Sequence, residues 1–282
     1  MPIRLIAIDI DGTLLDSRGQ LPSSNRDAIR EALQSGVEVM LVTGRSFHHA
    51  RPIGARLSDR LPLIVSNGAL LKQQNGQTLH RNLLDPAVTK AIIEKIRECR
   101  SGAALIFDRE GPTQYLFEGI DWQHPNRRQY YEKNRRFMTE LSPLENGLTE
   151  SPVQLAFTGS VEEMRQLADV VRSLAVSKRI AVTLTEYEAR DFSLLDITNK
   201  GCSKGSMLTT WLNQSGLDSQ DVMAVGDNLN DQDMLALVGH PIVMGNAVAE
   251  LKTFGWPMTG RHDENGLAVA IRKTLAQQNA RA

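Results

Sequence analysis

The chain has 282 residues, 41% hydrophobic and 23% charged, which is the balance of an ordinary globular fold with length for one or two cores. Its formal net charge of -1 supplies no global field toward nucleic acid or an anionic membrane. No apolar segment is long enough to span a bilayer, and the N-terminus lacks a signal-peptide pattern. Cys99 and Cys202 make neither a disulfide framework nor a metal-ligand spacing. Both are expected as small buried hydrophobes in a reducing cytoplasm.

The first element is an isoleucine-rich apolar run that begins at Ile3 and ends in Asp9-Ile10-Asp11-Gly12-Thr13. The run is too short for a typical helix and reads as a buried parallel strand. Ligands of open parallel sheets bind outside the carboxyl ends of the strands. Asp9 and Asp11 stand at such an end, and their i, i+2 spacing in extended chain sends both side chains to one side. Gly12 lets the backbone turn after them. Two carboxylates held so close need a cation between them, or one keeps its proton. The plain alternative is a strand end followed by a solvated Asp-Gly turn.

Ser23 or Ser24 is placed to cap a helix over about 25–35, with Ala28, Ile29, Ala32 and Leu33 inward and Gly36 as its stop. Val37–Val42 then reads as a strand ending in Thr43-Gly44-Arg45, which completes a β-α-β unit. The Thr43 hydroxyl and the Gly44 amide are natural donors to a phosphate oxygen. Arg45 either grips an anion or pairs with an acidic neighbour, and the second role is expected. His48 and His49 read as ordinary helix or surface residues. A third strand, Leu63–Val65, ends in Ser66-Asn67-Gly68, which is either a plain turn or part of the lining of the site.

From about Leu84 the texture changes. Pro86–Cys99 reads as an amphipathic helix with Val88, Ile92, Ile93 and Ile96 inward. Ala103–Asp108 and Thr113–Phe117 read as hairpin strands. The basic, aromatic stretch Asn126–Phe137, with Arg127, Arg128, Lys133, Arg135 and Arg136, reads as a solvated helix face. Strands at Val153–Thr158 and Ile180–Thr185 flank a helix over Val161–Leu174. These pieces predict a separate α+β module of usual domain size. Phe192–Ile197 is expected to lead back to the first domain.

There, Asn199-Lys200-Gly201-Cys202-Ser203-Lys204-Gly205 precedes a helix from Ser206 to about Gln214. A lysine at a helix start costs about 0.3–1 kcal/mol unless an anion offsets it, which makes Lys200 and Lys204 candidates for an anion site. The alternative is a flexible basic loop. Asp221–Gly226 is a further apolar run, and it ends in Asp227-Asn228-Leu229-Asn230-Asp231. Asp227 and Asp231 flank a helix start, and carboxylates with water are the oxygen ligands Mg²⁺ prefers. A last short strand and turn cover Ile242–Ala247, and a helix from Gly266 closes the core.

Taken together, Asp9-Ile10-Asp11-Gly12-Thr13, Thr43-Gly44-Arg45, Lys204-Gly205 and Gly226-Asp227-x-x-Asn230-Asp231 resemble the haloacid dehalogenase superfamily. More narrowly, the chain looks like its Cof-type phosphatase branch with a C2-type cap. The resemblance implies a Rossmann-like parallel-sheet α/β core of residues 1–83 and 187–282, with an inserted α+β cap of residues 84–186. It implies that Asp9 attacks phosphorus and forms a phospho-aspartate, while Asp11 protonates the leaving alkoxide and then activates water. It implies Mg²⁺ held by the Asp9 carboxylate, the Asp11 carbonyl and Asp227, with Asp231 in support. Phosphoryl oxygens would meet Thr43, Gly44, Lys204, Asn230 and the Ile10 amide.

The expected partner is a small phosphorylated metabolite, a sugar phosphate or relative, and neither nucleic acid nor membrane. Asn67 is the expected substrate contact from the core. Tyr115, Trp122 and Arg127 are lesser candidates in the cap. Hinge-like cap movement is expected around Leu83–Pro86 and Tyr187–Asp191. A phosphomutase of the same superfamily, a receiver-like phospho-aspartate module and a non-catalytic phosphate sensor are the competing readings.

Overall fold

The computed structural model describes residues 2–97, 102–188 and 191–279. Cys99, the end of the helix expected to reach it, and positions 189 and 190 of the second expected hinge lie outside the described residues, as does the Lys133 side chain. The chain divides into two units, with crossings at 81/82 and 202/203.

The first unit opens with β1 (Leu5–Asp9), buried along its whole length. Next comes α1 (Ser23–Gln34), which buries Asn25, Ala28, Ile29 and Ala32. Pro22 precedes α1 and no side chain caps it, so Ser23 and Ser24 fall inside the first turn and not before it. Then follow β2 (Glu38–Val42), α2 (Phe47–Gly54) and β3 (Pro62–Val65). A hairpin of β4 (Leu70–Gln73) and β5 (Thr78–Arg81) ends this part.

The second unit is continuous in sequence. It contains α3 (Pro86–Arg97), β6 (Ala103–Ile106), β7 (Tyr115–Glu118), α4 (Pro125–Asn134), β8 (Met138–Glu140), β9 (Gln154–Gly159), α5 (Val161–Ser173), β10 (Ile180–Tyr187) and β11 (Phe192–Asn199). Its six strands run in the order β10-β11-β9-β6-β7-β8. All neighbours are antiparallel except β7 and β8. One sheet face packs Leu105, Leu155, Phe157, Leu195 and Ile197 against apolar residues of α3 and α5. The other face carries Ala104, Ile106, Tyr115, Phe117 and Met138, with Trp122 and Tyr131 against them. Trp122 stacks on Tyr131 and meets Phe117 edge-on, each at 5.2 Å between ring centroids. Arg127 donates from Nε to Thr158 Oγ1 at 2.7 Å.

The expected domain boundaries shift. The strand at Phe192 does not lead back to the first domain, because β11 pairs with β10 from Ile180–Asn199 to Tyr187–Phe192, and with β9 on its other side. Those ladders keep it in the second unit. Asn199 Nδ2 also reaches Asn82 Oδ1 at 2.6 Å, tying together the two ends of this unit. The division therefore falls at 81/82 and 202/203 and not at 83/84 and 186/187.

The chain re-enters the first unit with α6 (Lys204–Ser215), β12 (Val222–Gly226), α7 (Gln232–Leu237), β13 (His240–Val243), α8 (Ala249–Lys252) and α9 (Gly266–Asn279). The sheet order is β13-β12-β1-β2-β3-β4-β5. The members from β13 to β3 are parallel, and the β4-β5 hairpin is antiparallel. The alternating buried residues Leu5, Ala7, Met40, Val42, Val222 and Ala224 join Met207, Leu208 and Leu212 of α6 and Met234 and Leu235 of α7 in one core. Each of the larger side chains among them, the valines, leucines and methionines, contributes about 1.5–3 kcal/mol when fully buried.

Candidate active site

The strand order turns back beside β1. The chain lays β2 and β3 on one side of it and returns later with β12 and β13 on the other. A crevice at such a reversal is where open α/β sheets bind ligands. Asp9 is the last residue of β1, and Asp227 directly follows β12. These two positions, far apart in sequence, are brought to one place by the parallel register of Ile8 with Val225.

Carboxylate oxygens of Asp9, Asp227 and Asp231 lie within 4.8 Å of one another. Lys204, the first residue of α6, is 1% exposed and donates from Nζ to Asp9 Oδ1 and to Asp231 Oδ1, both at 2.6 Å. The second oxygen of Asp231 accepts the backbone amides of Asp227 and Asn228, each at 3.0 Å. Asp231 is thus fully committed to structure. It holds the turn that carries Asp227 and anchors the lysine.

The turn after Asp9 is dictated by Gly12, at φ +79°. A Cβ there would lie 2.1 Å from Asp227 Oδ2, so only glycine lets the two segments approach. Gly68 does similar work after β3, at φ +90°, where a Cβ would stand 2.0 Å from the Ser203 carbonyl oxygen, just before α6. Close approach there seats the start of α6, and with it Lys204, beside the Ser66–Gly68 turn.

Charge in this cluster is out of balance, with three carboxylates around one lysine. Burial raises the Asp9 pKa, Lys204 lowers it, and Asp231 and Asp11 raise it further. Asp227 is also raised, by burial first and then by Asp9 and Asp231. Burial alone would lower the Lys204 pKa, but Asp231 and Asp9 overcome that and hold it above its ordinary value. An oxygen-lined, electron-rich cluster of this kind fits a hard divalent cation.

The other expected residues are distributed around this centre. Asp11 is more than half exposed, and its carboxylate meets Arg45 at 2.7 Å from Nε and 2.5 Å from Nη2. The expected shared side of Asp9 and Asp11 therefore becomes one buried and one exposed carboxylate, because β1 stops at Asp9 and the chain turns. Arg45 has the acidic partner expected of it. Ile10 is buried in the turn, and its carbonyl accepts the Leu15 amide. Thr43 is buried after β2, and its Oγ1 accepts the Arg45 amide at 3.1 Å. Gly44 lies against Asn67, whose Oδ1 accepts from Asn230 Nδ2 at 3.1 Å. Asn67 is therefore a buried partner of Asn230 and not a plain surface turn. Lys200 is exposed and belongs to the second unit, whereas Lys204 belongs to the first.

Two contributors escape the sequence reading. Thr13 Oγ1 approaches Asp227 Oδ1 at 3.5 Å. Asn246 Nδ2 donates to the Gly12 carbonyl at 2.9 Å and to Asp227 Oδ2 at 3.3 Å. The sequence signal for Asn246 was its place just after the last parallel strand.

The family model for haloacid dehalogenase-like hydrolases matches residues 6–271 of this chain. The chain is 27% identical to the 5-amino-6-(5-phospho-D-ribitylamino)uracil phosphatase YwtE of Bacillus subtilis, covering 99% of this chain and 100% of that one. It is 29% identical to the pyridoxal phosphate phosphatase YbhA of Escherichia coli, covering 98% and 100%. Among solved structures, a haloacid dehalogenase-like hydrolase from Bacteroides thetaiotaomicron shares the fold, with a TM-score of 0.81 at 21% identity over 96% of this chain and 99% of that one. The whole-length match sets aside the receiver-like reading, and the chain is an enzyme that belongs to the haloacid dehalogenase-like hydrolases.

Proposed function

We propose that the protein is a Mg²⁺-dependent phosphatase of small phosphate monoesters that works through a phospho-aspartate on Asp9. The observation that carries this reading is the meeting of Asp9, Asp227 and Asp231 around Lys204 at the strand-order reversal. Relatives over the full length are phosphatases of two different phosphorylated metabolites, at nearly equal identity. That similarity favours the reaction class and leaves the choice of substrate open.

The cation would be held by Asp9 and Asp227, with Asp231 behind them and the Asp11 carbonyl as a further ligand. When bound, it supplies positive charge that lets an anionic nucleophile approach an anionic phosphate. The remaining work belongs to this chain's own groups. Lys204 holds Asp9 Oδ1, which fixes the carboxylate and leaves Oδ2 to attack phosphorus. The bond from phosphorus to the ester oxygen breaks as the Asp9–phosphorus bond forms, and Asp11, which takes up a proton from solvent before substrate is sealed in, gives that proton to the leaving oxygen. To do so it turns away from Arg45. The same carboxylate then takes a proton from the water that attacks phosphorus, and the Asp9–phosphorus bond breaks to release phosphate and restore the Asp9 carboxylate. The Thr43 oxygen already accepts the Arg45 amide, so its hydroxyl proton is the one offered to a phosphoryl oxygen. The Gly44 and Ile10 amides and the Asn230 side chain add donors, and Asn67 orients Asn230. Positioning and charge neutralisation are what phosphoryl transfer chiefly needs.

The test is a screen of phosphorylated sugars, nucleotides and cofactors with Mg²⁺, run beside Asp9→Asn. Phosphate release from at least one compound, lost in the variant and in EDTA, is the expected result. Release that survives Asp9→Asn would remove the mechanism. Bisphosphate-activated isomerisation without net release would instead make the enzyme a mutase.

A further inference from the structure

We propose that Asn246 is a positioning residue that sets the separation between the nucleophile turn and the Asp227 carboxylate. The inference rests on the cation-binding reading above and extends it to a residue with no part in that chemistry itself. Three observations meet at this side chain. Its Nδ2 has two protons and two acceptors, the Gly12 carbonyl at 2.9 Å and Asp227 Oδ2 at 3.3 Å. Its Oδ1 accepts the His262 backbone amide at 2.8 Å, which fixes the amide so that nitrogen faces the site. The surrounding loop is itself clamped to β12. The Met244 amide bonds the Gly226 carbonyl and the Val248 amide bonds the Asp227 carbonyl, both at 3.0 Å.

The chemistry follows from the donor count. Gly12 brings its backbone against Asp227 with no side chain between them. The Gly12 carbonyl oxygen and the Asp227 carboxylate then both present lone pairs to the same space. A neutral amide nitrogen is the one group of this size that donates to both at once. By engaging Oδ2, Asn246 directs which face of Asp227 is left for a cation. Partners behind metal-binding carboxylates typically carry about 10–100-fold of metal affinity.

The variants are Asn246→Asp, Asn246→Ser and Asn246→Ala. The aspartate keeps the shape and the His262 contact but faces two oxygens with a third. Serine restores one donor at shorter reach. Mg²⁺ binding to the purified protein is measured by titration calorimetry without substrate, and kcat and KM are measured at saturating Mg²⁺. Weakening of Mg²⁺ binding by about 10–100-fold for Asn246→Asp, less for Asn246→Ser, supports the assignment. So does substantial recovery of kcat at high Mg²⁺ with little change in KM. Unchanged Mg²⁺ affinity in a folded Asn246→Ala or Asn246→Asp would overturn it. Failure of all three variants to fold without metal would also overturn it, by making Asn246 a folding determinant. If the wild type neither binds Mg²⁺ nor releases phosphate, the proposed function itself has failed, and that result is separate.

Discussion

Both units bury a carboxylate on a sheet strand, and they surround it differently. In the first, Asp9 and Asp231 share Lys204, and a third acid stands close by, so three acidic groups face one ammonium. In the second, Asp196 of β11 lies against the Gln154 amide, which donates to Oδ1 at 2.5 Å. Burial raises the Asp196 pKa to about 7, and Gln154 lowers it only partly. Burial raises the carboxyl pKa in both places, but only the first gathers a lysine and further acids around it. The contrast shows that buried acid alone does not mark chemistry. What separates the two is a lysine and further carboxylates converging from other strand ends.

The hardest blow to this contrast is Asp9→Asn. If Asp9 is the nucleophile proposed above, turnover is expected to fall about 10³-fold or more, with the fold retained. Phosphate-release assays with thermal melts of the same preparation read it.

Next is Lys204→Met. It leaves two buried carboxylates without their shared cation, and breaking a buried pair costs about 3–5 kcal/mol. Urea unfolding should show that loss, and added Mg²⁺ should recover part of it, because a ligand bound 100-fold over its Kd contributes about 2.7 kcal/mol. A variant as stable as the wild type in EDTA would show that the lysine is not balancing the cluster.

Asp196 gives a smaller effect with a definite sign. Its folded pKa is raised, from 3.8 to about 7. Between those values the native state holds a proton that the unfolded state has lost, so stability falls as pH rises and levels off near pH 7. The difference in unfolding free energy between wild type and Asp196→Asn should drift by about 2–4 kcal/mol over that range. A flat difference would mean that Asp196 is charged in the fold.

The smallest effect belongs to the surface. Arg165 pairs with Glu186 at 2.7 Å, but the arginine is about half exposed. Arg165→Ala should leave both thermal stability and activity nearly unchanged.

The sequence made the acidic strand ends legible because β1 and β12 are buried parallel strands, whose apolar runs stop sharply where the polar residues begin. It also exposed Thr43, Lys204 and Asn230, which sit directly at the ends or starts of regular elements. Other features were hidden for physical reasons. Asn246 acts through one amide on a loop with no repeating pattern. β8 is only Met138–Glu140, too short for alternation to show. The strand Phe192–Asn199 carries the right pattern, but pattern does not say which sheet a strand joins. Only the ladders with β9 and β10 decide that. Lys200 and Lys204 look alike as a pair in sequence, yet the unit boundary at 202/203 falls between them.

That boundary also has a consequence for how the chain is made. Residues 82–202 form an uninterrupted stretch, while β1 must wait for β12 to fill its open flank. During synthesis from the N-terminus, the later segment has all its strands before the earlier one does, so the inserted unit should mature first on the ribosome. Asp9 would meanwhile stay in water, without Lys204, until some two hundred further residues had emerged. Limited proteolysis of stalled chains ending near residue 240, which leave 82–202 outside the ribosome and β12 still within it, reads this order directly. A protected fragment covering 82–202 is expected, and protection of the N-terminal segment instead would reverse the order.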